Sequence, residues 1–199
     1  MLPENIIWVG VFLNLVGQLF YVRSIIEGHA KPNLVSWFIF MLAPFIGVFF
    51  QLKAGAGLST LSIFMSGFGS LMIIITSILV KNGYWKITAF DVYCGLLSLI
   101  ALIFYIFTHN LGISIIFAIS SDALAFIPSY VKAWKFPETE YHSTYSLPTI
   151  SHIIGLLIIK NWSFTIYSFG LYMVISNMIM LTIIYRKKIF GPASVSFIS

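Results

Sequence analysis

Six polar side chains fall near the middle of long apolar segments, where a polar group is most costly to place. They are Asn14, Ser66, Ser70, Asp122, His152 and Asn177. A carboxyl group can accept hydrogen bonds or exchange a proton, an imidazole can carry a proton near neutral pH, and amides offer both donors and acceptors. Such a layer suits the binding of a hydroxylated or heterocyclic solute.

Asp122 is the most informative of these residues and lies in the segment ISSDALAFIPSYVKAW. An Asp at the centre of a membrane helix costs roughly 2.5–3.5 kcal/mol on insertion scales, so we expect it to face the bundle interior or a wet cavity. One interpretation is a solute contact coupled to a proton through His152. The other is a protonated carboxyl that holds two helices together, with His152 a separate buried residue.

The remaining polar residues also admit structural roles. Asn and Ser side chains can join helices through hydrogen bonds worth on the order of 0.6 kcal/mol each. The segment SGFGS, which contains Ser66 and Ser70, favours close helix packing. Asp91 lies at the start of a predicted helix near Lys86, where an acid is favoured by the helix dipole.

The composition is that of an integral membrane protein. Of the 199 residues, 59% are hydrophobic and 9% are charged, and the mean hydropathy is +0.98, whereas a soluble domain is about half apolar and a quarter charged. The basic residues behind the net charge of +5 lie between apolar runs, so we expect no nucleic-acid partner. Cys94 is the only cysteine, which excludes an intramolecular disulfide.

Apolar runs of about 20 residues predict membrane-spanning helices. We predict seven, at residues 6–25, 34–52, 58–80, 88–108, 112–133, 146–160 and 163–185. With seven spans one side receives nine basic residues and the other receives only Lys53 and Lys160. The positive-inside rule then predicts a multi-pass protein of the inner (plasma) membrane, with its N-terminus outside and its C-terminus in the cytoplasm.

Two similar segments predict an internal repeat. QLFYVRSI ends the first predicted helix and IPSYVKAW ends the fifth. We therefore predict an all-α chain of two parallel three-helix repeats joined by a linker helix: residues 1–86, a fourth helix at 87–110, residues 111–188, and a cytoplasmic tail at 189–199. Asn14 precedes Asp122 by 108 residues, so we expect these two to face each other across a pseudo-twofold axis.

This 3+1+3 arrangement, with GQLFYVRSIIEGHAKPNLVSW and IPSYVKAWKFPETEYHSTYS at matching places, resembles the PQ-loop superfamily. That group includes the SWEET sugar transporters, the nicotinamide riboside transporters and the KDEL receptors, and the chain looks most like uncharacterised bacterial members. The resemblance implies that Asn177 contacts the solute and that prolines act as gating hinges. Pro44, Pro128 and Pro148 are the candidates, while the first helix has none.

The charged loop residues and the tryptophans are expected to have structural roles only. We expect Glu27, His29, Glu138 and Glu140 to be solvated in cytoplasmic loops. The five tryptophans, Trp8, Trp37, Trp85, Trp134 and Trp162, lie near predicted span ends, as interfacial anchors do.

Three functions remain in view. The first is a transporter or facilitator of a small polar solute, such as a sugar, nucleoside or vitamin, bound at mid-bilayer. The alternative is a ligand-sensing or cargo-binding receptor without transport. A membrane enzyme using Asp122 as an acid or base ranks last, because no catalytic, metal-ligating or phosphate-binding motif occurs, so we expect no enzyme activity and no cofactor. The expected partners are a small solute and the lipid bilayer, and a homo-oligomer is left open.

Overall fold

The computed structural model describes residues 3–80, 84–107 and 110–190, and the regular structure in these ranges is helical throughout. Seven α-helices, named α1 to α7 in chain order, span Ile7–Ile26, Leu34–Lys53, Leu61–Leu79, Ala89–Ile106, Leu111–Lys135, Ser143–Leu157 and Phe164–Phe190. Short 3₁₀ turns precede α1, α3 and α6. Each predicted span therefore corresponds to one helix.

Five of the helical segments are long and apolar enough to cross a membrane: Glu4–Ile26, Leu34–Lys53, Leu58–Leu79, Leu111–Lys135 and Phe164–Arg186. Helix α4 contributes a shorter apolar stretch, Ala89–Ile100. Helix α6 has 15 residues and begins at Ser143, three residues before the predicted start of its span. These lengths are those of a membrane-embedded, multi-pass protein.

Local sequence explains where several helices begin. The side-chain oxygen of Asn33 accepts hydrogen bonds from the backbone N–H groups of Val35 and Ser36 at the start of α2. Asn110 caps α5 in the same way. These contacts satisfy donors that have no partner within the helix. The Asn33 amide also donates to Asp91 at 2.7 Å, which ties α2 to α4 and gives Asp91 a structural role.

The helices pack in two corresponding sets, the first made of α1, α2 and α3 and the second of α5, α6 and α7. Helix α3 contacts both α1 and α2, and α7 contacts both α5 and α6. Across the molecule α1 packs on α6 and α2 packs on α5, while α4 lies mainly against α5. The contact between α1 and α6 is close at Gly17, where a Cβ atom would lie 2.8 Å from the carbonyl oxygen of Ser143.

Contacts between helix ends define two ends of the bundle. The basic end contains the end of α1, the loop before α2, the end of α5 and the loop before α6. Two hydrogen bonds join these parts: the backbone N–H of Lys31 donates to Thr139 O, and the Lys132 ammonium group donates to Lys31 O. At the opposite end Glu4 forms an ion pair with Lys160, and Gln51 donates to Ile166 O.

The predicted boundaries at 86/87 and 110/111 fall between helices, and α7 extends to Phe190. The first two residues of the predicted tail are therefore helical. Residues 191–199 of that tail and Lys81 of the predicted cytoplasmic side lie outside the described residues.

Candidate functional site

A small internal cavity lies between six of the helices, α1, α2, α3, α5, α6 and α7. Its volume is about 30 Å³. It is lined by Gln18, Trp37, Phe40, Ser66, Ser70, Phe126, Thr144, Tyr145, Pro148, Met173 and Asn177. The cavity therefore takes walls from both sets of helices.

An aromatic wall forms one side of this cavity. The ring of Phe40 on α2 lies 4.4 Å from that of Phe126 on α5, measured between centroids, and Trp37 meets Phe40 edge-on at 5.6 Å. Trp37 is buried, 4% exposed, so its predicted position in an interfacial belt was wrong. Aromatic faces of this kind suit contact with the apolar face of a ring-shaped solute.

Two amides supply polar groups to the cavity. The Oε1 atom of Gln18 is buried and has no hydrogen-bond partner among the described residues. Asn177 is also buried and lines the cavity, and no hydrogen bond from its amide to a described residue is present. A buried polar atom without a partner is costly, so the Oε1 atom of Gln18 is placed to gain from a polar ligand or a water molecule, and the Asn177 amide lines the same cavity.

The hydroxyl groups of Ser66 and Ser70 complete the polar part of the lining. Ser70 donates to Ser66 O at 2.8 Å, along α3. The Oγ atom of Ser66 lies 3.1 Å from Nε2 of His152 on α6, within hydrogen-bond distance. His152 is fully buried and does not line the cavity, so it acts on the cavity wall through Ser66.

Asn14 lies behind the cavity wall in a comparable way. Its Oδ1 atom accepts from Nε2 of Gln18 at 3.5 Å, and its Nδ2 donates to Ser62 O at 3.4 Å. The Gln18 side chain also packs on α3, since a Cβ at Gly69 would lie 2.3 Å from its Cγ. Asn14 therefore holds the side chain of Gln18 in place.

Asp122 is fully buried between α5 and α7, outside the cavity lining. Its Oδ2 atom accepts a hydrogen bond from the Tyr172 hydroxyl at 2.9 Å. Its Oδ1 atom has no hydrogen-bond partner among the described residues. The carboxyl group is thus held within one helix set.

Of the predicted site residues, Ser66, Ser70, Asn177 and Pro148 line the cavity, whereas Asn14, Asp122 and His152 do not. Among the described residues, Asp122 makes no ion pair with His152, and it makes no hydrogen bond with Asn14. The expectation that Asn14 and Asp122 face each other was wrong, because Asn14 is directed at α3 and Asp122 at α7. Pro44 and Pro128 are buried inside α2 and α5, away from the cavity lining, and their role as hinges stays a prediction.

A charged cluster lies next to the cavity, on the side of the basic end. The carboxylate of Glu140 is 2.6 Å from the ammonium group of Lys132, and their side chains are 1% and 3% exposed. The expectation of a solvated Glu140 was therefore wrong. The chain folds the loop before α6 over the end of α5, where Lys132 compensates the charge of Glu140.

Sequence reasoning missed Gln18, Phe40 and Phe126 as lining residues. Gln18 carried a usable signal: it lies four residues after Asn14 in an apolar run, on the same helix face. The aromatic residues carried none, because 17% of the chain is Phe, Trp or Tyr.

The volume limits what the cavity can hold in this state. A water molecule occupies roughly 30 Å³ in the liquid, and solute sites commonly measure about 300–1,000 Å³. In this state the cavity therefore has room for water and must widen to admit a solute. Within the described residues, no group of three His, Cys, Asp or Glu side chains is placed to hold a metal ion.

Comparisons of the chain with family models, with curated proteins and with solved structures found no match.

Proposed function

We propose that this protein is a membrane transporter or facilitator of a small, uncharged polar solute, which binds in the cavity between the two helix sets. The observation that carries the proposal is the pair of buried amides, Gln18 and Asn177, that line the central cavity, the Oε1 atom of Gln18 having no hydrogen-bond partner among the described residues. One amide comes from the first set and the other from the second. A solute held by both is released when the sets move apart.

The proposed architecture has seven spans in a 3+1+3 arrangement. Its support is the correspondence of the packing: exchanging α1, α2 and α3 for α5, α6 and α7 reproduces the same contacts, including α1 with α6 and α5 with α2. Helix α4 stands outside this exchange, as a linker does. Two parallel repeats of this kind place the solute at their interface.

The chemistry of the lining favours an uncharged solute. No Asp, Glu, Lys, Arg or His lines the cavity. Aromatic rings on one side and amide and hydroxyl groups on the other suit a sugar, a nucleoside or a vitamin-like heterocycle. Asp122 and His152 support the cavity walls in this account and do not touch the solute.

The proposed orientation puts the basic end in the cytoplasm of the cell, in the inner (plasma) membrane. Arg23, Lys31, Lys132, Lys135 and Arg186 belong to this end, against Lys53 and Lys160 at the opposite end. The excess of basic residues is the feature that normally marks the cytoplasmic side.

A thermal-shift screen of the purified protein in detergent tests the binding site. Sugars, nucleosides and vitamins are the probes, since a ligand that binds only the folded state raises its stability. A stabilising solute should lose its effect in Asn177→Ala and keep it in Asn161→Ala, a matched control at an exposed position. Equal stabilisation of both variants would contradict binding in the cavity.

The second candidate is a receptor that binds the solute without carrying it. The observation that favours it is α1, which runs from Ile7 to Ile26 without a proline to bend it. Counterflow in proteoliposomes with the solute found by the screen separates the two functions. Exchange of labelled solute supports transport, and binding without exchange supports the receptor.

A further inference from the structure

Glu140 is the centre of a buried cluster at the basic end. Its Oε1 atom pairs with Lys132, and its Oε2 atom accepts hydrogen bonds from the hydroxyls of Tyr21 at 3.0 Å and Tyr145 at 2.9 Å. Lys132 also donates to the backbone carbonyl of Lys31. The carboxylate thus has a partner on each oxygen, as a buried charge requires.

The cluster joins the two helix sets. Tyr21 lies in the last part of α1, and Lys31 lies in the loop that follows α1, so both belong to the first set. Lys132, Glu140 and Tyr145 belong to α5, the next loop and α6, in the second set. The backbone bond from Lys31 N to Thr139 O, at 3.3 Å, joins the same two loops. The sets cannot separate at this end while these contacts persist.

The cluster is also connected to the cavity. Tyr145 lines the cavity and donates its hydroxyl hydrogen to Glu140. Trp37 lines it too and packs against the ring of Tyr21, with centroids 5.2 Å apart. Two side chains therefore connect the cavity lining to the carboxylate of Glu140 or to its tyrosine partner.

The opposite end is closed differently. Gln51 on α2 donates to Ile166 O on α7 at 2.9 Å, and α3 and α6 approach at Gly155, where a Cβ would lie 2.5 Å from Ser62 Oγ. The ion pair there, Glu4 with Lys160, is partly exposed, with side-chain exposures of 38% and 73%. The buried ion pair is thus at the basic end, where Tyr21 and the carbonyl of Lys31 from the first set contact it.

We propose that the Lys132–Glu140 cluster is the gate that keeps the basic end closed and holds the resting protein in the state seen here. The inference rests on the proposed function, because a gate has a purpose only if a solute passes. Opening breaks the contacts that cross between the sets, Tyr21 with Glu140 and Lys132 with the carbonyl of Lys31, and lets water reach both charges. A variant that removes one charge leaves the other buried and unpaired in the closed state only, so it shifts the population toward the open state.

A cysteine in the cavity measures this opening without a known solute. The protein carries Ser70→Cys, with the buried native Cys94 replaced by Ala, and is treated in inside-out and right-side-out vesicles with a small, membrane-impermeant thiol reagent. We expect Glu140→Gln to raise the modification rate from the basic end at least about tenfold, a modest population shift. The rate from the opposite end should stay the same or fall.

Two further variants keep the test decisive if Glu140→Gln unfolds the protein. Tyr21→Phe keeps the ring and removes the hydrogen bond to Glu140 that crosses between the sets, so it should raise the rate from the basic end by a smaller factor. Glu4→Gln removes the exposed pair at the opposite end and should leave the basic-end rate unchanged. An unchanged rate in folded Glu140→Gln and Tyr21→Phe, or equal increases from both ends, would overturn the gate.

The labelling experiment tests the gate, and the thermal-shift screen tests solute binding, so the two proposals can fail independently. A side-specific rise in labelling together with no stabilising solute would sustain a gated cavity and count against solute binding. A stabilising solute with no change in labelling would sustain the site and reject the gate.

Discussion

The hydroxyl of Tyr172 donates a hydrogen bond to Asp122 at 2.9 Å, across the contact between α5 and α7. Both residues belong to the same helix set, and the carboxyl does not line the central cavity. The most costly polar side chain in the apolar sequence therefore serves helix pairing in this state. Its unpartnered Oδ1 atom shows that the site is only half satisfied by the described residues.

Removing the donor to Asp122 should destabilise the protein. Tyr172→Phe leaves a buried carboxyl without its partner, a loss of about 1–3 kcal/mol, and should lower the unfolding temperature in detergent. Tyr93→Phe is the matched control, because Tyr93 is 68% exposed on α4 and should be tolerated. Equal stability of the two variants would show that the hydrogen bond contributes little.

Enlarging the residue at a close crossing of α1 and α6 should also be costly. Gly17→Ala places a Cβ 2.8 Å from the carbonyl oxygen of Ser143, a backbone atom that cannot turn away. We expect a loss of about 1–3 kcal/mol, typical of overpacking. Gly170→Ala is the control: its nearest neighbours are Leu156 side-chain atoms at 3.3 and 3.6 Å, and Ala is the better helix former. A tolerated Gly17→Ala would argue against a close contact between α1 and α6.

The two ends of the bundle should label from opposite sides of the membrane. His29 at the basic end and Asn161 at the opposite end are both exposed. In a Cys94→Ala background, His29→Cys should react with an impermeant maleimide only in inside-out vesicles, and Asn161→Cys only in intact cells. The reverse pattern would invert the proposed orientation. Labelling of both residues from one side would contradict an odd number of spans between His29 and Asn161.

Much of the fold follows from the sequence because apolar length decides it. Each apolar run predicted one helix, and the capping asparagines Asn33 and Asn110 mark helix starts by their chemistry. The prediction for α6 began three residues too late, since its first residues, Ser143 to Tyr145, are polar or aromatic and belong to the helix through contacts with α1 and Glu140.

The site was predictable only in part. Ser66, Ser70 and Asn177 stood out as polar residues in apolar runs, and they line the cavity. Glu140 did not stand out, because its burial depends on Lys132 and on tyrosines from two other helices. Depth along a helix could be read from the sequence, whereas the direction of Asp122 could not, since that depends on how α5 is rotated against α7.

The most direct test of the central account is whether the cavity opens to both sides of the membrane. In the Cys94→Ala background, the modification rate of Ser70→Cys by a small impermeant thiol reagent is measured in intact cells and in inside-out vesicles. Alternating exposure of the cavity predicts modification from both sides, at rates at least about tenfold above that of Cys94 in the parent protein, where Cys94 is buried outside the cavity. Modification from one side only, or from neither, would contradict a transporter.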